Sequence, residues 1–371
     1  MSKRITLHKI VTGEAQKMNW IKDQSVHLVV TSPPYPMIEM WDDIFSGQNS
    51  GIEKAVKNNQ GQLAFELIHQ ELDLVWAEIE RVLIPGGFVC INVGDATRTM
   101  NNEFSLFPNH SRIISSFLKL GFSNLPNIIW RKQTNAPNKF MGSGMLPAGA
   151  YVTLEHEWIL LFRKGGKRLF RTDVEKQIRK ESAFFWEERN IWFSDLWDVK
   201  GVRQEINYPG TRKRSGAFPF EIPYRLINMY SAKSDVVLDP FLGTGTTLLA
   251  AMASERSSLG MEIDKSMIEE FSGRTDKTGI EQINKWIQRR IVQHENFVEG
   301  RTKNQAKNEI RHFNSFLNLP VMTSQETGIQ FSLIEKIDQA SDHYFLSSYI
   351  SPQRDPAERI PEQKTVILKD L

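Results

Sequence analysis

The sequence predicts an α/β protein built on a doubly wound, mostly parallel sheet, and three observations carry that prediction. Short apolar runs alternate with stretches of helical periodicity, the pattern of strands joined by crossover helices. Two of the runs end in sequences that no strand continues, Thr31-Ser32-Pro33-Pro34-Tyr35 and Asp239-Pro240-Phe241-Leu242-Gly243-Thr244-Gly245. The composition, 40% hydrophobic and 24% charged over 371 residues, is globular, and the length suits one large domain with insertions or two domains.

In chain order, the first strand is Ser25 to Val30 (SVHLVV), stopped by two prolines that lack an amide donor and restrict the residue before them. Residues Gln48 to Gln62 are polar and Gly/Asn-rich and read as a mobile surface loop. Leu72, Val75, Trp76, Ile79, Val82 and Leu83 recur at helical spacing, and Pro85-Gly86-Gly87 ends that helix. A buried strand, Phe88 to Val93, follows and closes at Gly94-Asp95; Ile113 to Leu120 reads as helix ended by Gly121, and Trp158 to Phe162 as another buried strand. After an irregular stretch the alternation resumes with helix Ile222 to Tyr230, strand Asp235 to Leu238, the glycine loop, a helix through Ala253, a strand near Leu259 to Ile263, and a basic-faced helix Ile280 to Val292. The last fifty residues are polar and mixed and carry no clear pattern.

The charge balance is +2, so affinity for a polyanion must come from local clustering. One cysteine, Cys90, excludes an intrachain disulfide and a CxxC metal site, and no HExxH pair is present, so no metal is expected. No apolar run approaches the roughly 18 residues of a membrane span, and Met1 to Lys9 lacks the apolar core of a signal peptide. The expectation is a cytoplasmic protein with no membrane association.

Ligands of such sheets bind outside the carboxyl ends of the strands, where the two interrupted runs lie. Asp239 to Thr247 follows an apolar strand and opens a helix, the context of a nucleotide-type site, and its glycines let the backbone turn sharply against a ligand. Glu262, seventeen residues after Gly245, sits at the end of the next strand, where a carboxylate can accept hydrogen bonds from both ribose hydroxyls. Leu248 at the sixth position of GxGxxG disfavours a dinucleotide, and no GxxxxGK[ST] loop is present, which leaves a nucleoside-bearing cofactor without a pyrophosphate.

The conjunction of a strand, Ser32-Pro33-Pro34-Tyr35 and the glycine loop resembles the beta-class amino DNA methyltransferases, in which the catalytic motif precedes the cofactor motif. Ser32 to Tyr35 is similar to the catalytic motif in the form more typical of cytosine-N4 enzymes, and Asp239 to Thr247 to the cofactor motif. Gly260 to Asp264 is similar to the ribose-binding motif, and Phe218 to Ile227 to the helix beside methionine. Gly13-Glu14-Ala15 resembles the adenine-contacting segment, with Glu14 where Asp is usual; Arg81 to Asp95 and Glu155 to Lys164 resemble the intermediate motifs. The resemblance spans residues 5 to 273. It implies a Rossmann-like AdoMet-dependent methyltransferase fold with an inserted target-recognition region, and S-adenosyl-L-methionine as cofactor. It places Ser32, Pro33, Pro34 and Tyr35 in catalysis and Glu14, Asp239, Phe241, Gly243, Thr244, Gly245, Thr246 and Glu262 on the cofactor.

The implied chemistry is direct transfer to an exocyclic amine whose lone pair is delocalised into the base. Acceptors beside its two N–H groups, assigned to the Ser32 hydroxyl and the Pro33 carbonyl, favour a pyramidal nitrogen aimed at the methyl donor, and Tyr35 stacks on the extruded base. Carbon-5 methylation is excluded, because it needs a cysteine nucleophile and Cys90 sits mid-strand. Asp95 is a possible active-site residue, with a turn or helix cap as the competing reading. His156 could contact substrate or simply order the following strand, and Trp41 and Trp130 could stack on bases or belong to the core.

Lys167 to Gly216 holds 12 Lys/Arg against 8 Asp/Glu and eight aromatics, a local balance of +4. Arg168, Arg171, Arg179, Lys180, Arg203, Arg212, Lys213 and Arg214 are the candidates for phosphate contact and groove reading. The expected organisation is a catalytic half (1–166), a target-recognition region (167–216), a cofactor-binding half (217–275) and a C-terminal extension of unassigned role (276–371). The expected function is sequence-specific methylation of cytosine N4 in double-stranded DNA by base flipping. The enzyme would act as a monomer or homodimer and protect DNA from a cognate restriction endonuclease. Adenine-N6 methylation and an inert DNA-binding module of the same fold are the alternatives.

Overall fold

A computed structural model describes residues 4–132, 141–201, 218–303, 310–341 and 343–352. The chain opens with strands β1 (Ile5–Thr12) and β2 (Val26–Thr31), helices α1 (Asp42–Gln48), α2 (Ser50–Lys57) and α3 (Gly61–Val82), then β3 (Leu83–Val93). A hairpin β4 (Ala96–Met100) and β5 (Glu103–Phe107), helix α4 (Asn109–Lys119), β6 (Phe122–Asn124), β7 (Ile128–Arg131), the small hairpin β8 (Met141–Gly142) and β9 (Ala150–Tyr151), and β10 (His156–Lys164) follow. Next come α5 (Asp173–Glu181), α6 (Trp186–Trp192), β11 (Leu196–Trp197), α7 (Glu221–Tyr230), β12 (Val236–Asp239), α8 (Thr246–Ala253), β13 (Ser257–Glu262), α9 (Lys265–Gly273) and α10 (Lys277–Lys303). The described chain ends with β14 (His312–Asn314), β15 (Leu319–Val321), β16 (Leu333–Ser341) and β17 (Tyr344–Ile350).

The main sheet has the order β11-β7-β10-β3-β2-β12-β13-β1-β17-β16, with β6 also on β10. Its centre, β3-β2-β12-β13-β1, is parallel throughout, and the flanking β10 and β17 pair antiparallel to β3 and β1. Alternate side chains of β2 enter opposite layers: Leu28 and Val30 join Cys90, Ile222 and Leu248, whereas Val29 joins Val89, Ile91, Ile79 and Phe117. Helices α7, α8 and α10 therefore cover one face and α2, α3 and α4 the other. The central strand reads as a continuous apolar run because both of its faces are buried. This is the doubly wound, mostly parallel sheet expected from the sequence.

Three local readings are corrected. Residues 48–62 are not a surface loop: α2 occupies most of them, burying Ile52 and Ala55, and its polar residues serve the ends, with Asn49 accepting from the Gly51 amide at 2.9 Å. Pro85-Gly86-Gly87 does not end α3, which stops at Val82; it lies within β3, where the pairing with β2 slips between Val26–Leu83 and Leu28–Phe88. Gly86 has φ +83° there, and a Cβ on it would come within 2.6 Å of the Arg168 amide nitrogen. The segment Ile5–Thr12, not read as structure, is a central strand whose inward positions include polar Thr6 and His8. They are satisfied within the core by the Tyr349 hydroxyl at 2.7 Å and the Ser258 hydroxyl at 2.7 Å. Burial without a counter-charge pulls the His8 imidazole down to about 3, so it stays neutral.

The described part of the C-terminal extension completes the core. Helix α10 buries Ile283, Ile287 and Ile291, and β17 closes over β1 with Phe345 edge-on to Phe271 at 5.1 Å.

Candidate active site

Strands β2 and β12 lie side by side with Leu28 opposite Val237, but the sheet continues from β2 to β3 on one side and from β12 to β13 on the other. Crossover connections therefore diverge between them, and a crevice opens at their carboxyl ends. Thr31 Oγ1 donates to Asp239 Oδ1 across the crevice at 2.6 Å, and both residues are buried. That bond pins the two loops read from the sequence against one another.

Both loops line one cavity of about 260 Å³, with Ser32, Pro33, Pro34 and Tyr35 on one wall and Asp239, Phe241, Gly243 and Thr246 on the other. Gly13 and Glu14, after β1, and Glu262, at the end of β13, close it. Its described lining carries Glu14, Glu71, Asp239, Glu262 and Asp264 and no lysine or arginine, an electrostatic setting that favours a cation over a phosphate.

Tyr35 is the centre of the first wall. Its hydroxyl donates to Glu157 Oε2 at 3.0 Å and accepts from Asn92 Nδ2 at 2.8 Å, and the Ser32 hydroxyl lies 3.1 Å away. Asn92 also donates to Glu157 Oε2 at 2.6 Å, and Lys132 pairs with the other carboxylate oxygen. Burial and the neighbouring carboxylate push the phenol well above its usual range, so it stays protonated. The ring packs on Gly94, where a Cβ would come within 3.1 Å of it. Behind the loop, Asn109 donates to the Pro36 and Gly94 carbonyls at 3.1 and 3.0 Å, tying the proline turn to the end of β3. Glu157, Asn92 and Asn109 were not singled out in the sequence. Their only signal was an acid or amide inside an otherwise apolar strand or at a helix start.

The glycine loop is held by Glu262, whose carboxylate accepts from the Gly243 amide at 2.7 Å and the Asp264 amide at 3.0 Å. Burial pushes the Glu262 carboxyl above its ordinary pKa, and burial also lifts Asp239 to about 6. Gly243 and Gly245 have φ +53° and +79°. Gly245 is doubly constrained, because a Cβ there would lie 2.1 Å from the Phe271 ring. Thr246 opens α8 inside the cavity, 3% exposed, and its hydroxyl has no hydrogen-bond partner among the described residues. Thr244 and Gly245 do not line the cavity; Thr244 is buried and accepts from Arg274 through its carbonyl and hydroxyl at 2.9 and 3.1 Å. The motif they share with Gly243 and Thr246 groups them with the ligand contacts in the sequence, but in the fold they support the loop from behind.

The family model for DNA methylases, of the N6/N4 methyltransferase type, matches residues 26–272, which contain both walls of the cavity. The chain belongs to the DNA methylase family. The methylase is 50% identical to the Type II methyltransferase M.MthZI of Methanothermobacter thermautotrophicus over 88% of its length and 90% of that protein. It is 51% identical to the Type II methyltransferase M.MjaI of Methanocaldococcus jannaschii over 73% of its length and 93% of that protein. Among solved structures, a protein assigned as a DNA modification methylase from Thermus thermophilus, crystallised with S-adenosyl-L-methionine, superposes with a TM-score of 0.56 at 33% identity. The match covers 72% of the methylase and 92% of that chain.

Other expected site residues fall elsewhere in the methylase. Asp95 is not among the residues that line the cavity: it accepts from the His110 amide at 3.1 Å and pairs with the His110 ring, which stacks on Trp158, so it fastens the start of α4. Trp130 is core, donating to the Val199 carbonyl at 2.7 Å, whereas Trp41 lines the cavity. His156 stands edge-on to Trp158. Arg168 forms a two-pronged pair with buried Asp235 at 2.6 and 2.9 Å, just before β12 and thus at the end of the strand opposite Asp239. Arg168 and Arg179 both lie over the Phe170 ring, and Lys180 packs against Gly328. Helix α5 is tied to the same pole, since Arg4 bridges Glu181 to Glu255. Among the candidate DNA-contacting cations, Arg168 thus spends its charge on a buried carboxylate at the end of the strands opposite the cavity. Arg171 precedes α5 on that side, its amide donating to Glu175 at 2.8 Å. Arg203, Arg212, Lys213 and Arg214 lie outside the described residues. Among the described residues, no helix is long and apolar enough to cross a membrane.

Proposed function

We propose that the protein is a sequence-specific Type II DNA methyltransferase that methylates N4 of cytosine in double-stranded DNA, with S-adenosyl-L-methionine as methyl donor. One observation carries the reading: Ser32 and Tyr35 share a cavity with the glycine loop and Glu262, locked by the Thr31–Asp239 hydrogen bond. The residues present suit that cofactor. Five carboxylates line the cavity and, among the described residues, no lysine or arginine lines it, although Lys17 pairs with Glu14 at 2.6 Å; that balance fits a sulfonium and an ammonium group, and the Thr246 hydroxyl at the start of α8 offers a donor to a carboxylate. Bound there, S-adenosyl-L-methionine supplies an activated methyl carbon.

In this reading Glu262 and Glu14 hold the nucleoside, Asp239 holds the charged end, and Gly243 lets the backbone approach. The Ser32 hydroxyl and the Pro33 carbonyl would accept from the two N–H groups of the target amine, leaving its electron pair free toward the activated methyl group that the cofactor would supply. The proton given up by the methylated nitrogen would pass to solvent. Tyr35 provides the stacking face for the flipped base. The neutral hydroxyl at position 32, where an acidic or amide side chain would favour adenine, supports cytosine. The segment 167–216 is the proposed target-recognition region, and a restriction endonuclease of the same sequence specificity the proposed functional partner.

The test is to incubate the protein with unmodified bacterial DNA and labelled cofactor, digest to nucleosides and identify the product by mass. N4-methylcytosine is expected. N6-methyladenine alone would overturn the base assignment, and cofactor binding without transfer to any duplex would favour an inert DNA-binding module.

A further inference from the structure

We infer that Glu157 is a positioning residue that sets the direction of the hydrogen-bond chain Glu157–Tyr35–Ser32, and so obliges the Ser32 hydroxyl to act as an acceptor toward the target amine. The inference rests on the proposed catalytic role of Ser32 and adds a residue two elements away from it.

The argument is one of counting donors. A carboxylate only accepts, so the Tyr35 proton points at Glu157 Oε2, 3.0 Å away. Asn92 cannot reverse this, because its Nδ2 group lies 2.6 Å from the same carboxylate oxygen and turning the amide would set two oxygens against one another. Among the described residues the buried Asn92 oxygen has no partner, a cost that accompanies that orientation. With its single proton committed and one lone pair taken by Asn92 at 2.8 Å, the phenol oxygen has one lone pair left. The Ser32 hydroxyl, 3.1 Å away, can therefore only donate to it. With its proton turned to Tyr35, the Ser32 hydroxyl keeps both lone pairs for acceptance, and Ser32 lines the cavity where an amine N–H must find an acceptor. Lys132 holds the far carboxylate oxygen, and Glu157 is 8% exposed.

Glu157→Gln tests this with little change of shape. Lys132 should claim the amide oxygen, turn the NH₂ group toward Tyr35, and reverse the chain so that Ser32 presents a proton to the amine. With saturating unmodified DNA, kcat should fall by about 10²-fold, the scale seen when one preorganised polar contact is lost. Cofactor Kd and DNA KM should stay within about threefold. Adding Lys132→Met frees the amide to rotate, and the double variant should regain at least about tenfold in kcat, which a purely structural role would not allow. Parental turnover in Glu157→Gln, or a double variant no faster than the single, would overturn the inference. If Glu157→Gln does not fold, Tyr35→Phe breaks the chain at the same oxygen while keeping the ring, and unchanged kcat there would be equally fatal. Ser32→Ala in the same assay separates the two layers: full turnover in that variant would remove the catalytic reading of the loop itself.

Discussion

Thr31 and Asp239 are separated by 208 positions in the chain, and their side chains meet at 2.6 Å at the point where the central sheet reverses its winding. The bond crosses from the strand that carries the proline loop to the strand that carries the glycine loop. It fixes the distance between the two halves of the cavity before any ligand arrives. Burial lifts Asp239 to about 6, although the Thr247 and Thr31 hydroxyls and the Phe241 amide, at 3.1 Å, all bond to its carboxylate.

Cofactor affinity should therefore depend on pH. Raised from 3.8 to about 6, Asp239 keeps its proton longer in the folded state than in the unfolded one. Its ionisation costs stability as pH climbs through that interval, and stability falls with pH there. Binding of a cation next to it runs the other way, since only the carboxylate attracts it. Calorimetric titration of S-adenosyl-L-methionine should give affinity that rises up to about tenfold per pH unit below 6 and levels above it. A flat profile between pH 5 and 7 would remove Asp239 from the cofactor's charged end.

Thr31→Val deletes the bond while keeping the shape. Loss of a donor to a buried acidic group should cost about 1–3 kcal/mol in urea unfolding and move the pH midpoint of cofactor binding upward. Unaltered stability would mean the two strands are held by backbone pairing alone.

Gly245→Ala should be among the most damaging small substitutions. The left-handed φ of +79° costs about 1–3 kcal/mol for a side chain, and the added carbon would sit 2.1 Å from Phe271. Truncating the ring as well, in Gly245→Ala with Phe271→Ala, cannot restore parental stability, because the backbone term remains and the core loses an aromatic. Chemical denaturation of the two variants measures both parts.

Arg168→Ala should separate stability from DNA binding. Removing it leaves Asp235, whose side chain is 5% exposed, with the Ala232 amide at 2.7 Å but without its guanidinium, and should cost about 3 kcal/mol. DNA affinity and its salt dependence should be unchanged, since the residue lies at the amino end of the sheet. A reduced slope of log Kd against log salt in Arg168→Ala would instead place it on the phosphate backbone.

Glu262→Ala should weaken cofactor binding by more than tenfold, a loss of about 1.4 kcal/mol or more, and should lower Tm as well, because the carboxylate also holds the Gly243 and Asp264 amides. Ser32→Ala should lose turnover and leave cofactor Kd unchanged. Equal loss of cofactor binding in both variants would contradict that division.

The amino-acid sequence by itself determined the alternation of strands and helices, the two loop tips and the acid at the end of β13. Those features are written in local terms: apolar periodicity, prolines that cannot pair, glycines that must turn. Only the tertiary structure decided that β1 is a central strand, because Thr6 and His8 become acceptable inside once Tyr349 and Ser258 arrive from elsewhere in the chain. It also decided that Arg168 serves Asp235 and that Glu157 and Asn92 stand behind Tyr35, since strand register and crossover choose the neighbours of a polar side chain. A charged or amide residue has the same one-letter identity whether it is solvated, paired across the sheet or aimed at a substrate. Its meaning comes from partners that lie far away along the chain.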